Sequence, residues 1–162
     1  MIDPSAPASR GAQALARATG GAGLAALLLG LVAGFEGKRN DPYDDLIGRA
    51  TVCYGETGVA MRHYTDAQCR DLLAGTLAGT AAQVHAATPT ITGAQLAAAT
   101  SLAYNIGTGA YARSSVARDF RAGRPGAACD DFLRYDHAGG HAVPGLMRRR
   151  AAERALCLKG LP

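Results

Sequence analysis

The chain has 162 residues, enough for one domain with a buried core, and carries a net charge of +4. Hydrophobic residues at 48% and charged residues at 19% exclude a disordered or fibrous chain, and 21 glycines point to close helix packing and tight turns. The positive charge favours an anionic partner, whether nucleic acid, a membrane surface or an acidic cell-wall polymer, without choosing among them.

Residues 1–12, opening MIDPSAPASRG, read as a flexible tail. Residues 13–35 end in a stretch, Ala18 to Phe35, that holds no charged residue and sits between Arg17 and Glu36. Its length is the ~18 residues at which an apolar run becomes a membrane-span candidate, but more than half of it is Gly, Ala or Thr. Three readings compete: a cleaved secretory signal, the buried first helix of a soluble protein, and a weak membrane anchor. Cleavage after Val32-Ala33-Gly34 would strip away the helix that presents Glu36. A buried helix explains LLLGLVAGF but not the apolar extension upstream, so length favours the anchor. Gly30 and Gly34 form a GxxxG that suits close packing in either setting.

Arg39 to Ile47 (RNDPYDDLI) predicts a turn, because Asn40, Asp41 and Pro42 break any helix. Ala50 to Gly55 (ATVCYG) predicts a short hairpin strand, with the β content of the chain confined there. A helix start at Thr65 opens a long helix running to about Ala87. Gly93 to Ile106 predicts an alanine-rich buried helix, and Ser114 or Ser115 caps the next one. AACDDFLRYD reads as amphipathic helix, and His137 to Gly145 as a loop. The last element, LMRRRAAERALCL, is a basic helix in which Met147, Ala151, Ala155 and Leu158 can share one face. The fold class is therefore α+β and predominantly helical.

Cys53, Cys69, Cys129 and Cys157 include no CxxC pair and no histidine at zinc-ligand spacing, which argues against a metal site. They read as buried thiols or as two disulfides formed outside the cytosol. Cys53–Cys69 and Cys129–Cys157 are the expected pairs, since each lies near in sequence and clips one lobe. His137 and His141 read as loop residues, with Gly139-Gly140 between them. Arg148 to Arg150 read as a solvated helix face or a contact to anionic wall polymer.

Glycoside cleavage needs one protonated carboxyl to donate to the leaving oxygen and a second, ionised one to activate water or attack. Glu36 after an apolar helix and Asp45 in a polar turn offer unequal environments for those unequal roles. Thr51 offers a hydroxyl to hold the water. A turn and half a hairpin between the acids leave room for that water, which predicts inversion at the anomeric carbon.

Glu36-Gly37, Tyr43-Asp44-Asp45, Gly48, Thr51 and Gly55 resemble the Glu-x8-Asp-x5-Thr signature of phage-type lysozymes, the endolysins of glycoside hydrolase family 24. LAYNIGTGAYARSSV and AGGHAVPGLMRRRAAERALC resemble the later helices of the same family, so the likeness runs from about Leu28 to the end. It implies a two-lobed, lysozyme-like domain over residues 36–162, with a small β-hairpin lobe and a larger helical lobe. It also implies a cofactor-free muramidase that cleaves the β-1,4 bond between N-acetylmuramic acid and N-acetylglucosamine. Glu36 would be the general acid, with Asp45 and Thr51 activating water, and Thr57, Tyr104, Asn105 and Ser115 would contact sugar. Gly55-Glu56-Thr57 departs from the Gly-His-Thr of many relatives, which puts in doubt any structural ion pair of that histidine but not the catalytic set.

Residues 13–35 are similar to the signal-anchor-release segment of some endolysins, an uncleaved helix that tethers the exported enzyme to the inner membrane before it slips free. The implied partners are peptidoglycan and the inner membrane, not nucleic acid. The implied state is a monomer, and the implied place is the host periplasm, first tethered and then released. A lytic transglycosylase and a non-catalytic wall-binding or membrane-anchored protein are the alternatives.

Overall fold

The computed structural model describes residues 9–161. Ser9 caps helix α1 (Arg10–Thr19), its hydroxyl accepting from the Ala12 amide. The last residues of the expected tail are therefore helical, and the remainder of it, 1–8, lies outside the described residues.

Helix α2 (Ala22–Phe35) leaves α1 at a bend of 108°. The single apolar helix expected over 13–35 is thus two helices. Gly20 is left-handed at φ 86°, and the amides of Gly20 and Gly21 both return to the Ala16 carbonyl, which closes α1. Among the described residues no single helix is long and apolar enough to cross a membrane, although α1 and α2 together meet that test by length and composition.

Strand β1 (Arg39–Asp44) pairs antiparallel with β2 (Ala50–Cys53), Tyr43 opposite Thr51 and Asp44 opposite Ala50. The turn expected over 39–47 is therefore mostly strand. Pro42 cannot donate to a ladder, and it falls where the register is irregular, between Arg39 and Tyr43. The reversal itself is confined to Asp45–Arg49, where Gly48 takes a φ of 76°.

Helix α3 (Asp66–Ala87) opens with a reciprocal box in which the Gln68 amide donates to the Thr65 hydroxyl and the Thr65 amide to the Gln68 side chain. Asn40 on β1 reaches the Tyr64 carbonyl and Asp66, each at 2.8 Å, and Lys38 pairs with Asp66. These contacts hold the hairpin against the start of α3.

The helical lobe continues through α4 (Gly93–Ile106), the short α5 (Thr108–Ala112), α6 (Ser115–Arg121) capped by Ser114, and α7 (Pro125–Asp131) with a 3-10 turn after it. A second hairpin, β3 (His137–Ala138) and β4 (His141–Ala142), replaces the loop expected there. Gly139 and Gly140 take the positive φ values that a two-residue reversal demands, so the β content is not confined to the first hairpin.

Helix α8 (Pro144–Leu158) closes the fold. Its buried face is Arg149, Arg150, Glu153, Leu156 and Cys157, while Met147, Ala151 and Ala155 point outward. Three members of the apolar face expected of this helix therefore lie on its solvent side, and the fourth, Leu158, is half-buried against the core. The core gathers Leu15, Leu28 and Val32 from the first two helices with Leu73, Leu77, Leu102, Tyr111 and Phe132, all buried. Disulfides join Cys53 to Cys69, tying β2 to α3, and Cys129 to Cys157, tying α7 to α8. The architecture is a small hairpin lobe set on a larger helical lobe.

Candidate active site

Glu36 is the residue at which α2 stops. Its amide still donates to the Val32 carbonyl, but its own backbone is extended, so the side chain swings off the helix end. The carboxylate is a quarter exposed, and its Oε1 accepts from Nη1 of Arg149 at 2.5 Å. The apolar surroundings expected for it contain a buried cation.

Arg149 is 3% exposed and belongs to a larger buried network. Its Nε donates to Glu153 Oε1 at 3.1 Å and its other terminal nitrogen to the Ser101 carbonyl at 3.2 Å. Arg150, fully buried, meets Glu153 Oε2 at 2.8 Å and donates to Asn105 Oδ1 at 3.1 Å. The Ser101 hydroxyl adds a 2.6 Å bond to Glu153 Oε1. One buried carboxylate thus anchors two guanidiniums, one holding Glu36 at the end of α2 and the other Asn105 near the end of α4. Two charges of each sign offset one another, which is the condition for burying any of them.

A cavity of about 390 Å³ adjoins this network, lined by Glu36, Gly55, Glu56, Thr57, Gly58, Thr76, Tyr104 and Asn105. Three of the four expected sugar contacts, Thr57, Tyr104 and Asn105, share this wall with Glu36. The Tyr104 hydroxyl donates to the Tyr54 carbonyl at 2.9 Å, and burial, helped by the charges of Glu56 and Glu36, lifts it well above the usual phenol range. Ser115 is elsewhere: its amide donates to the Tyr135 hydroxyl at 3.0 Å, and it does not line the cavity.

Asp45 at the hairpin reversal and Thr51 on β2 share an acceptor and are not on the cavity wall. The Asp45 amide and the Thr51 hydroxyl both donate to the Arg49 carbonyl, at 3.0 and 2.8 Å. Asp45 Oδ1 in turn accepts from the amides of Arg49 and Ile47, which hold the carboxyl below the usual range and keep it ionised. Thr51 is 2% exposed.

Sequence reasoning missed Arg149, Arg150 and Glu153 as supports of the site, and Glu56 and Thr76 as part of its wall. The Arg-Arg-x-x-Glu spacing was the available signal, because residues three and four apart share a helix face.

The family model described as phage lysozyme matches residues 33–153, bounds that enclose both Glu36 and Glu153. A SAR-endolysin of Enterobacteria phage P21 is 39% identical over 131 residues, 78% of this chain and 79% of the relative. A SAR-endolysin of Bacteriophage PS119 is also 39% identical over 131 residues, 78% of each chain. Among solved structures, the muramidase domain of SpmX from Asticaccaulis excentricus has a TM-score of 0.75 at 28% identity, covering 84% of this chain and 96% of that one. A mutant of P22 lysozyme has a TM-score of 0.73 at 29% identity, covering 82% of this chain and 95% of its own.

Proposed function

The chain belongs to the phage lysozyme family and is a peptidoglycan hydrolase of the muramidase class, and from that premise we propose that Glu36 is its general acid in cleaving the β-1,4 bond between N-acetylmuramic acid and N-acetylglucosamine. The observation that supports this most is the placing of Glu36 on the wall of a saccharide-sized cavity by a buried cation on α8. Glu36 delivers its proton to the leaving oxygen, and Arg149 fixes the carboxyl in reach of it. On the family likeness, Asp45, held ionised at the reversal, orients or activates water together with Thr51, both of them beyond the cavity wall that carries Glu36. Thr57, Tyr104 and Asn105 contact the sugar.

The test is loss of turbidity of outer-membrane-stripped bacteria by wild type and Glu36→Gln side by side. The variant should lose about 10²–10⁴-fold of the activity, the range for removing a general acid, while its circular dichroism spectrum shows it still folded. Retained lysis would overturn the assignment. Water attacking from the face opposite the leaving group gives inversion, so NMR of the first product should show the α anomer.

Residues 13–35 act as a weak, uncleaved membrane anchor of a monomer that is exported to the periplasm, tethered to the inner membrane and then released; residues 36–162 carry the catalytic domain. The support is the naming of the P21 and PS119 relatives as SAR-endolysins and the joint apolar length of α1 and α2. Release lets Leu28 and Val32 pack in the core and brings Glu36 to Arg149. Fractionation before and after collapse of the membrane potential tests this. Constitutive solubility or a shortened N-terminus would sink it.

A further inference from the structure

Glu56 shares the cavity with Glu36 without any place in the chemistry above. Its backbone is fixed by a double bridge to Val52, amide to carbonyl in both directions at 2.9 and 3.0 Å. Its side chain crosses to α3, where Oε2 accepts from the Thr76 hydroxyl at 2.9 Å. Oε1 is buried and has no hydrogen-bond partner. The carboxyl is thus rigidly mounted at both ends, with a hydroxyl as its sole polar contact and no cation to neutralise it among the described residues. A group of that kind costs stability when desolvated, and native structures keep few of them without a use.

We propose that Glu56 is a substrate-positioning residue, whose carboxyl hydrogen-bonds a hydroxyl or acetamido N–H of the amino sugar lying between it and Glu36. This rests on the cavity being the saccharide site. The observations that point there are the shared cavity wall and the bond to Thr76, which lies on that wall too. Saccharides offer many O–H and N–H donors, and among the residues on this wall only Glu36 and Glu56 carry carboxyls. Glu36 already accepts from Arg149, which leaves Glu56 as the carboxyl free of a cation. An acceptor held in place before binding costs little to use, so its effect should fall on affinity.

The experiment compares Glu56→Ala, Glu56→Gln and wild type in three measurements: affinity for N-acetylglucosamine oligomers, KM and kcat on peptidoglycan, and melting temperature. Glu56→Ala should weaken oligomer binding and raise KM by about 5–10-fold, with kcat within about 2-fold and no loss of melting temperature. Glu56→Gln keeps a hydrogen-bonding carbonyl and amide in the same volume and should recover most of the affinity. Unchanged affinity in Glu56→Ala, a fall confined to kcat, or losses that track a lowered melting temperature would each overturn the proposal. Glu36→Gln, titrated with the same oligomers, separates this result from the acid assignment. It should bind them normally while failing to turn over, whatever Glu56 does.

Discussion

Glu36 and Arg149 stand 113 residues apart in the chain, and the guanidinium of one lies 2.5 Å from the carboxylate of the other. The contact joins the first apolar helix to the last helix across the helical lobe. It also reaches the core, since Arg149 bonds both Glu153 and the Ser101 carbonyl. The position of the proposed general acid is therefore set by α8 as much as by α2.

Replacing Arg149 by lysine keeps the charge but not the fork that reaches three partners at once. Arg149→Lys should lower kcat by about tenfold or more, with a smaller change in KM, because a shift of about an ångström in a catalytic group is costly. Steady-state kinetics on solubilised peptidoglycan checks this, and a kcat within twofold of wild type counts against it.

Glu153→Gln removes the one carboxylate that two buried guanidiniums share. Breaking a buried pair from one side typically costs about 3–5 kcal/mol. The loss should appear in urea denaturation as a lower midpoint. A change below about 1 kcal/mol would mean that water or a rearrangement replaces the carboxylate.

Burial raises the Glu56 carboxyl above its ordinary 4.5. Between the unfolded and folded values the native state holds a proton that the unfolded chain has released, so stability falls as pH rises through that window and levels off above it. Glu56→Gln removes this term. Melting temperatures of variant and wild type should agree below about pH 4 and separate above it, the variant being the more stable. Parallel curves would show that the carboxyl is not desolvated in solution.

Gly11 is pressed against α3: its amide donates to Asp71 Oδ1 at 2.6 Å, and a Cβ there would lie 2.1 Å from the Asp71 carbonyl oxygen. Gly11→Ala should loosen α1 from α3 at a cost of about 1–3 kcal/mol, the usual range for overpacking. Limited proteolysis should cut the variant within α1 faster than wild type, while Gly23→Ala, which meets nothing within 4 Å, should behave as wild type.

The helices were legible wherever a local signal existed. Thr65 with Gln68 announces α3, and Ser114 announces α6, because a cap is read within four residues. The elbow at Gly20-Gly21 had a signal too, but the unbroken apolar run hid it, since hydropathy sums over a window and ignores backbone conformation. Pro42 suggested a turn where an irregular strand accommodates it. On α8 the periodicity misled, because Arg149, Arg150 and Glu153 are buried by pairing with one another and with Ser101 and Asn105, residues about fifty positions away. Of the site, the family likeness pointed to Glu36, Thr57, Tyr104 and Asn105, which share one cavity. Ser115 falls outside it because Tyr135 claims its amide.

The elbow between α1 and α2 also sets a length. At 1.5 Å per residue the two helices measure about 15 and 21 Å, each short of a hydrocarbon layer of roughly 30 Å, whereas one straight helix over the same residues would measure about 39 Å. Straightening would carry Leu15 and Gly11 off α3. On the proposed anchoring, the same residues either span a bilayer or complete the enzyme, never both at once in one molecule, and Gly20 and Gly21 are the joint on which that choice turns.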